Sequence, residues 1–232
     1  MKLSDTYGQT IDFEIPEQHT RIGVNCSGGA DSAILLYIIA DYLKQNNRTD
    51  VELNVLSCAN DKKHRWNVRK AADVINYTID KLDWNQFGCH YAYYRDVQAE
   101  EYFHEFEMKM FKDDRISFLI SGVTATPKID AVVENSKGVM VDLREHEDCL
   151  GNRDPNKQRP LLNVSGHFYT PLTNVDKRFV ADMYDHYDVR DMFYLTRSCE
   201  AIPDGRYDPD FEQHPCGECW WCLERKWAFG EF

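Results

Sequence analysis

Residues 21–45 restrict this chain more than any other segment. RIGVNC (21–26) is a short stretch of strand type, and AILLYIIADYLKQ carries an apolar helical pattern to about residue 44. Between them stand Ser27, Gly28, Gly29, Ala30, Asp31 and Ser32. A strand that turns on two glycines straight into a helix is one unit of an α/β sheet. Paired glycines let the backbone turn sharply and expose its N–H groups. Together with the helix N-terminus, those donors make an anion site suited to phosphate. Ser27 and Ser32 add hydroxyl donors. Asp31 is out of place in a pure anion site, so it either caps the helix or holds a Mg²⁺ ion that accompanies a nucleotide.

Two common phosphate loops are excluded. No Gly-Lys-Ser/Thr follows the turn, and the Gly-x-Gly-x-x-Gly fingerprint of dinucleotide sites is absent.

The alternation continues downstream. Residues 51–57 form an expected strand, and Ala71, Val74, Ile75, Ile79 and Leu82 recur at helical spacing over 65–81. Residues 88–95 fit a third strand. Tyr102, Phe103, Phe106 and Met110 stripe a helix over 99–112, and 116–120 is a fourth strand ending at Ser121-Gly122. The expected fold is α/β: a Rossmann-like open parallel sheet with helices on both faces. The end of the fourth strand is where such sheets place ligands, so Gly122 joins the candidate nucleotide contacts.

Three regions are expected. Residues 1–20 are a polar lead-in, and 21–190 form the α/β domain. Residues 191–232 form a small C-terminal metal-binding helical segment. Within the domain, 127–165 is a polar variable loop with only a short strand at 139–143, and a helix follows over 174–187. Arg153 and Arg159 in that loop are either ligands for an anion or solvated loop residues.

The eight cysteines separate into two groups. Cys199, Cys216, Cys219 and Cys222 follow the spacing Cys-x16-Cys-x2-Cys-x2-Cys. Four thiolates so spaced satisfy a tetrahedral zinc ion and hold a poorly cored tail together. An iron–sulfur cluster is the rival reading. Trp220 and Trp221 are expected to pack around this metal site rather than stack on a base. Cys26, Cys58, Cys89 and Cys149 are expected to be ordinary thiols.

Charge and hydropathy exclude other classes. The net charge is −12, from 39 acidic against 27 basic residues, so no extended nucleic-acid surface is expected. The N-terminus has no apolar core of a secretory signal, and the longest apolar run, 33–40, is too short to span a bilayer. A cytoplasmic protein without membrane association is the expectation.

The hexamer SGGADS resembles the PP-loop of the ATP pyrophosphatases, usually written SGGxDS. Pro171-Leu172-Thr173-Asn174-Val175-Asp176-Lys177 resembles their Pro-Leu…Lys element. The tail, SCE…CGECWWCLERKWAF, resembles the C-terminus of the 7-cyano-7-deazaguanine synthases and ends in the same way on Arg225, Ala228 and Phe229. The resemblance spans residues 21–229. It implies an adenine nucleotide alpha hydrolase-like fold that binds ATP with Mg²⁺ and carries structural Zn²⁺. It implies nucleotide contacts from Ser27, Gly28, Gly29, Ala30, Asp31, Ser32, Gly122 and Lys177, with catalytic roles for Asp31 and Lys177. The implied partners are a small-molecule carboxylate, 7-carboxy-7-deazaguanine, and ammonia. The implied products are an amide or nitrile, AMP and pyrophosphate, and the implied assembly is a homodimer.

The sequence departs from that family at Ala30, in the long interval between the first two cluster cysteines, and at SGVTATPKID after the fourth strand. ATP use is therefore read more directly than the acceptor. The pathway served, whether queuosine in tRNA, a DNA modification or defence, is not encoded in any residue. A related ATP-dependent amidating or modifying enzyme on a different carboxylate stays open as an acceptor alternative; of the readings outside that class, a PP-loop tRNA sulfur transferase comes first and a non-catalytic binding module second. The first needs a basic RNA face, and the second conflicts with an intact SGGADS and Lys177.

Overall fold

In the computed structural model the described residues are 1–60, 66–95, 102–136, 143–199 and 215–232. In chain order their elements begin with β1 (Lys2–Ser4), β2 (Thr10–Asp12), β3 (Arg21–Asn25), α1 (Ala30–Gln45), β4 (Glu52–Asn60), α2 (Asn67–Leu82) and β5 (Phe87–Arg95). There follow α3 (Tyr102–Lys112), β6 (Phe118–Ser121), α4 (Ile129–Asn135), α5 (Leu143–Arg153) and β7 (Phe168–Tyr169). The chain ends with α6 (Lys177–His186), α7 (Arg190–Phe193) and α8 (Trp220–Phe229).

The main sheet has five parallel strands among the described residues, in the order β5-β4-β3-β6-β7. Its residues alternate between two buried faces. Ile22 and Val24 of β3, Leu53 and Val55 of β4, and Phe118 and Ile120 of β6 enter one core with α1, α2 and α6. Leu56 and Leu119 point the other way and meet Met110 and Phe106 of α3. Strands covered on both sides read as near-continuous apolar runs, as these do. The apolar pattern of α1 is nearly unbroken because the helix is enclosed: Ile34, Leu35, Leu36, Ile38 and Ile39 are fully buried.

The strand order places the site. From β3 the chain steps through β4 to β5 on one side, then returns to put β6 on the other side of β3. A crevice opens outside the carboxyl ends of β3 and β6, the usual ligand position in open α/β sheets. The 27–32 turn leaves β3 at that crevice, and Gly122 follows β6 into it.

Four expectations need correction. The polar lead-in pairs β1 with β2 in an antiparallel hairpin, and Leu3, Ile11, Phe13 and Ile15 join the main core. The variable loop holds two helices, α4 and α5, so GNRDPNKQRP begins as the end of a helix. In the expected strand over 139–143, residues 139–142 lie outside the described residues and Leu143 opens α5. The expected helix over 174–187 starts at Lys177 because Asp176 caps it: the Asp176 carboxylate accepts the Arg178 N–H at 2.9 Å. Residue 65 and residues 99–101 of the two expected helices also lie outside the described residues. No helix of the described residues is long and apolar enough to cross a membrane.

Candidate functional site

The turn after β3 is held by its own polar atoms. Ser32 Oγ donates to the Gly29 carbonyl at 3.1 Å and accepts the Ser27 N–H at 3.2 Å. Ser27 Oγ lies 3.3 Å from Ser32 Oγ and accepts the Gly29 N–H at 3.3 Å. Gly28 has φ +73°. A Cβ there would lie 2.3 Å from Lys70 Cβ and 3.0 Å from the Ala71 nitrogen, so α2 packs directly on the turn. Gly28→Ala is therefore expected to destabilise the fold. The left-handed backbone costs about 1–2 kcal/mol and overpacking against α2 about 1–3 kcal/mol more. Urea titration measures this, and unchanged stability would mean that α2 does not press on the turn. Gly122 is close-packed too: a Cβ there would come within 3.2 Å of the Asp31 carbonyl and of Ser32 Cα.

Ser27, Gly29, Ala30, Asp31 and Ser32 line a cavity of about 530 Å³, together with Gly122 and Lys177. The first-turn N–H groups of α1 have no helical carbonyl to bond and carry the positive end of the helix dipole. Asn25 and Glu107, bonded through Asn25 Nδ2 to Glu107 Oε1 at 2.6 Å, form another part of the wall. Trp66, Asn67 and Phe103 line it as well.

Asp31 does not cap α1. The N-cap is Gly29, with no side-chain cap. The Asp31 carboxylate instead joins a closed ring of charges. Lys177 Nζ is 3.4 Å from Asp31 Oδ2 and 2.9 Å from Glu224 Oε2. Glu224 Oε1 accepts from Arg153 Nη2 at 2.6 Å. Arg153 also donates to the Thr124 carbonyl at 2.8 Å, and the Thr124 hydroxyl donates to Asp31 Oδ2 at 3.3 Å.

The ring is deeply set: Lys177 is 3% exposed and Glu224 is fully buried. Burial works against the charge of Lys177, but the Asp31 and Glu224 carboxylates outweigh it and hold its pKa above the ordinary lysine value. Burial likewise opposes the charge of Glu224, and Arg153 and Lys177 outweigh it, so its carboxyl sits below the ordinary glutamate value. Two cations and two anions leave the ring neutral. Asp31 Oδ1 is buried and accepts no hydrogen bond, which suits it to a cation brought by a ligand.

The four late cysteines converge. Sγ of Cys199, Cys216, Cys219 and Cys222 all lie within 4.8 Å of one another, a donor set that can hold a metal ion. The N–H groups of Cys216 and Cys219 point at cluster sulfurs, at 3.4 Å and 3.3 Å. Trp220 is fully buried against Val132, Cys149 and Leu223, while Trp221 packs on the cysteines and also lines the cavity.

The structure thus brings Ser27, Gly29, Ala30, Asp31, Ser32, Gly122 and Lys177 to one cavity, leaves Gly28 behind the wall against α2, and sets the cysteine cluster at the cavity's edge, since Cys199 lines it. Glu224 was missed by sequence reasoning, and Arg153 was misjudged. Arg153 is neither a ligand reaching for an anion nor a solvated residue; it is the internal partner of Glu224. Arg159 stays in its loop, with its guanidinium 3.4 Å from the Gly151 carbonyl. Cys26 and Cys58 do line the cavity. Burial pushes the Cys26 thiol up, which favours its neutral form. Cys149 is buried beside Arg153, and Cys89 is exposed.

No family model matches the chain, and no curated protein matches it. Solved structures of other proteins are similar over most of its length, two of them as follows. One is the U34-tRNA thiolase NcsA from Methanococcus maripaludis with its 4Fe–4S cluster, at 12% identity and a TM-score of 0.38, over 90% of this chain and 69% of that one. The other is NMN synthetase from Francisella tularensis, at 12% identity and a TM-score of 0.35, over 91% of this chain and 84% of that one.

Proposed function

We propose that this chain uses ATP to adenylate a carboxylate and then passes the activated acyl group to ammonia, with 7-carboxy-7-deazaguanine as the first candidate acceptor. The observation that carries the reading is the Lys177–Asp31 contact at the mouth of the glycine turn. It sets a buried cation and a partly unpaired carboxylate beside the N-terminus of α1 at the switch point of the sheet.

The turn and the α1 N-terminus would hold the phosphates through backbone N–H groups. Asp31 would take the Mg²⁺ that travels with ATP, and that ion would supply charge neutralisation of the polyphosphate. The carboxylate oxygen of the acceptor attacks the α-phosphorus, the bond from that phosphorus to the bridging oxygen breaks, and pyrophosphate leaves. Ammonia then attacks the acyl carbon and AMP departs, giving the amide and a proton. For a nitrile, the amide oxygen attacks the α-phosphorus of a second ATP, pyrophosphate leaves, and one of the two N–H protons is released. Loss of that oxygen as AMP, with the second N–H proton, closes the triple bond. This chemistry needs positioning and charge stabilisation rather than a protein nucleophile, and no reactive thiol is required of Cys26. Lys177 and the backbone donors are the groups available to meet charge on departing pyrophosphate.

The test is pyrophosphate release with ATP, Mg²⁺, ammonia and a panel of carboxylic acids that includes 7-carboxy-7-deazaguanine. Repeated turnover to AMP and pyrophosphate is expected only when acid and ammonia are both present, acid alone giving at most about one pyrophosphate per chain, and Asp31→Ala should slow turnover about a hundredfold or more. ADP as product, or thiolation of a tRNA, would overturn the reading.

We also propose zinc for the cysteine cluster. Metal–sulfur bonds of about 2.3 Å in a tetrahedron set sulfurs roughly 3.8 Å apart, and Cys216 Sγ lies 3.8 Å from Cys222 Sγ. A 4Fe–4S cluster would bind each sulfur to a different iron and spread the sulfurs farther apart. Elemental analysis should give about one zinc per chain. Stoichiometric iron and sulfide would replace zinc by an iron–sulfur cluster.

A further inference from the structure

We infer that residues 196–199 are a phosphate strap, in which Arg197 is a second cation for the polyphosphate and the metal–cysteine knot holds it in place. This rests on the ATP reading above and extends it to a residue and a device outside the glycine turn.

The strap lies on the turn itself. The Arg197 N–H donates to the Gly28 carbonyl at 2.9 Å. Arg197, Ser198 and Cys199 all line the cavity with Ser27, Gly29 and Asp31. Arg197 is 7% exposed, and its guanidinium carbon sits 4.2 Å from the centroid of the Trp66 ring. Stacking of that kind presets the planar fork of an arginine, which suits it to phosphate oxygens.

Position gives Arg197 its role. Among the described residues, Lys177 and Arg197 are the cations that line the cavity. Lys177 lies between two carboxylates in the ring. Arg197 stands outside that ring, on the segment whose backbone bonds the glycine turn.

One helix holds both ends of the strap. At its start, Arg225 of α8 donates to Thr196 Oγ1 at 2.8 Å and to the Phe193 carbonyl at 2.9 Å. At its end, the Cys199 sulfur meets those of Cys219, the N-cap of α8, and Cys222. The same helix carries Glu224, the partner of Lys177. A bound metal would bond Cys199 to α8 and fix Arg197 over the turn. Without it, the strap would lose that tie to α8 at its Cys199 end.

The experiment is calorimetric titration of α,β-methylene ATP with Mg²⁺ into zinc-loaded wild type, Arg197→Gln and Arg197→Lys, each before and after zinc is removed by a chelator. Arg197→Gln should weaken binding about tenfold to a hundredfold, with zinc content and melting temperature kept, and Arg197→Lys should recover part of the loss. Zinc removal should weaken the wild type by a similar factor and add little to Arg197→Gln, since both remove one interaction. Wild-type affinity in Arg197→Gln, unchanged affinity after zinc removal, or two losses that simply add would each overturn the strap. Absence of nucleotide binding by zinc-loaded wild type would overturn the ATP reading itself, and the strap with it.

Discussion

Glu224→Ala is expected to lower the free energy of unfolding by about 3–5 kcal/mol, because it strips two buried cations of their shared anion. Glu224 is fully buried, with Arg153 Nη2 at 2.6 Å on one oxygen and Lys177 Nζ at 2.9 Å on the other. Removing it leaves Lys177, itself 3% exposed, with Asp31 at 3.4 Å as its remaining carboxylate, and leaves Arg153 on Thr124. The cost is that of stranding charge rather than of losing a favourable pair. A double variant that also removes the cation, Glu224→Leu with Lys177→Met, should therefore be more stable than Glu224→Ala alone. Urea titration of the three proteins checks both statements. A loss under about 1 kcal/mol in Glu224→Ala would class the ring with solvent-screened surface pairs.

The sequence made the sheet legible wherever burial was two-sided. β3, β4 and β6 are short apolar runs, and α1 to α3 repeat apolar residues at helical spacing, so composition and period agreed. β7 escaped because two residues, Phe168 and Tyr169, carry no period; it exists only because β6 offers an edge. α5 escaped for another reason. LREHEDCLGNR has almost no apolar face, and among its described side chains α5 buries His146 and Cys149, with His146 edge-on to Trp220 of α8. Its packing partner lies in α8, and local pattern does not encode that. The glycine turn was legible as chemistry because its parts are adjacent in sequence. Glu224 was not, since its cations lie in α6 and at the end of α5, and a glutamate two residues past a cysteine cluster carries no local sign of them. Arg153 shows the limit of charge as a signal: an arginine in a polar stretch is read by its sign alone, while its role was set by a carboxylate 71 residues away.

Lys177→Met is expected to cut the rate of pyrophosphate release about a hundredfold to a thousandfold, the usual loss when one group that stabilises developing charge is removed. Methionine keeps most of the stem and removes the ammonium, so packing of the α6 N-terminus is retained. Glu224 keeps Arg153 as its partner, so one buried ion pair survives and the variant should fold. The pH profile separates this lysine from other groups. Burial alone would lower its pKa, but Asp31 and Glu224 hold it above the ordinary value of 10.5. With the folded value raised, the stabilisation from its charge is complete below pH 10.5, the unfolded value, and is lost only as pH rises through the higher folded value. Wild-type turnover should accordingly show no loss from this group between about pH 7 and 10, and Lys177→Met should be slow by the same factor across that range. A variant that regained activity toward either end of the range would point to a titrating group elsewhere as the source of the defect. Turnover at the wild-type rate would make the Lys177 cation a structural counter-charge for Asp31 and Glu224. The charge on departing pyrophosphate would then have to be met by the glycine turn and Arg197, the other cation on the described wall.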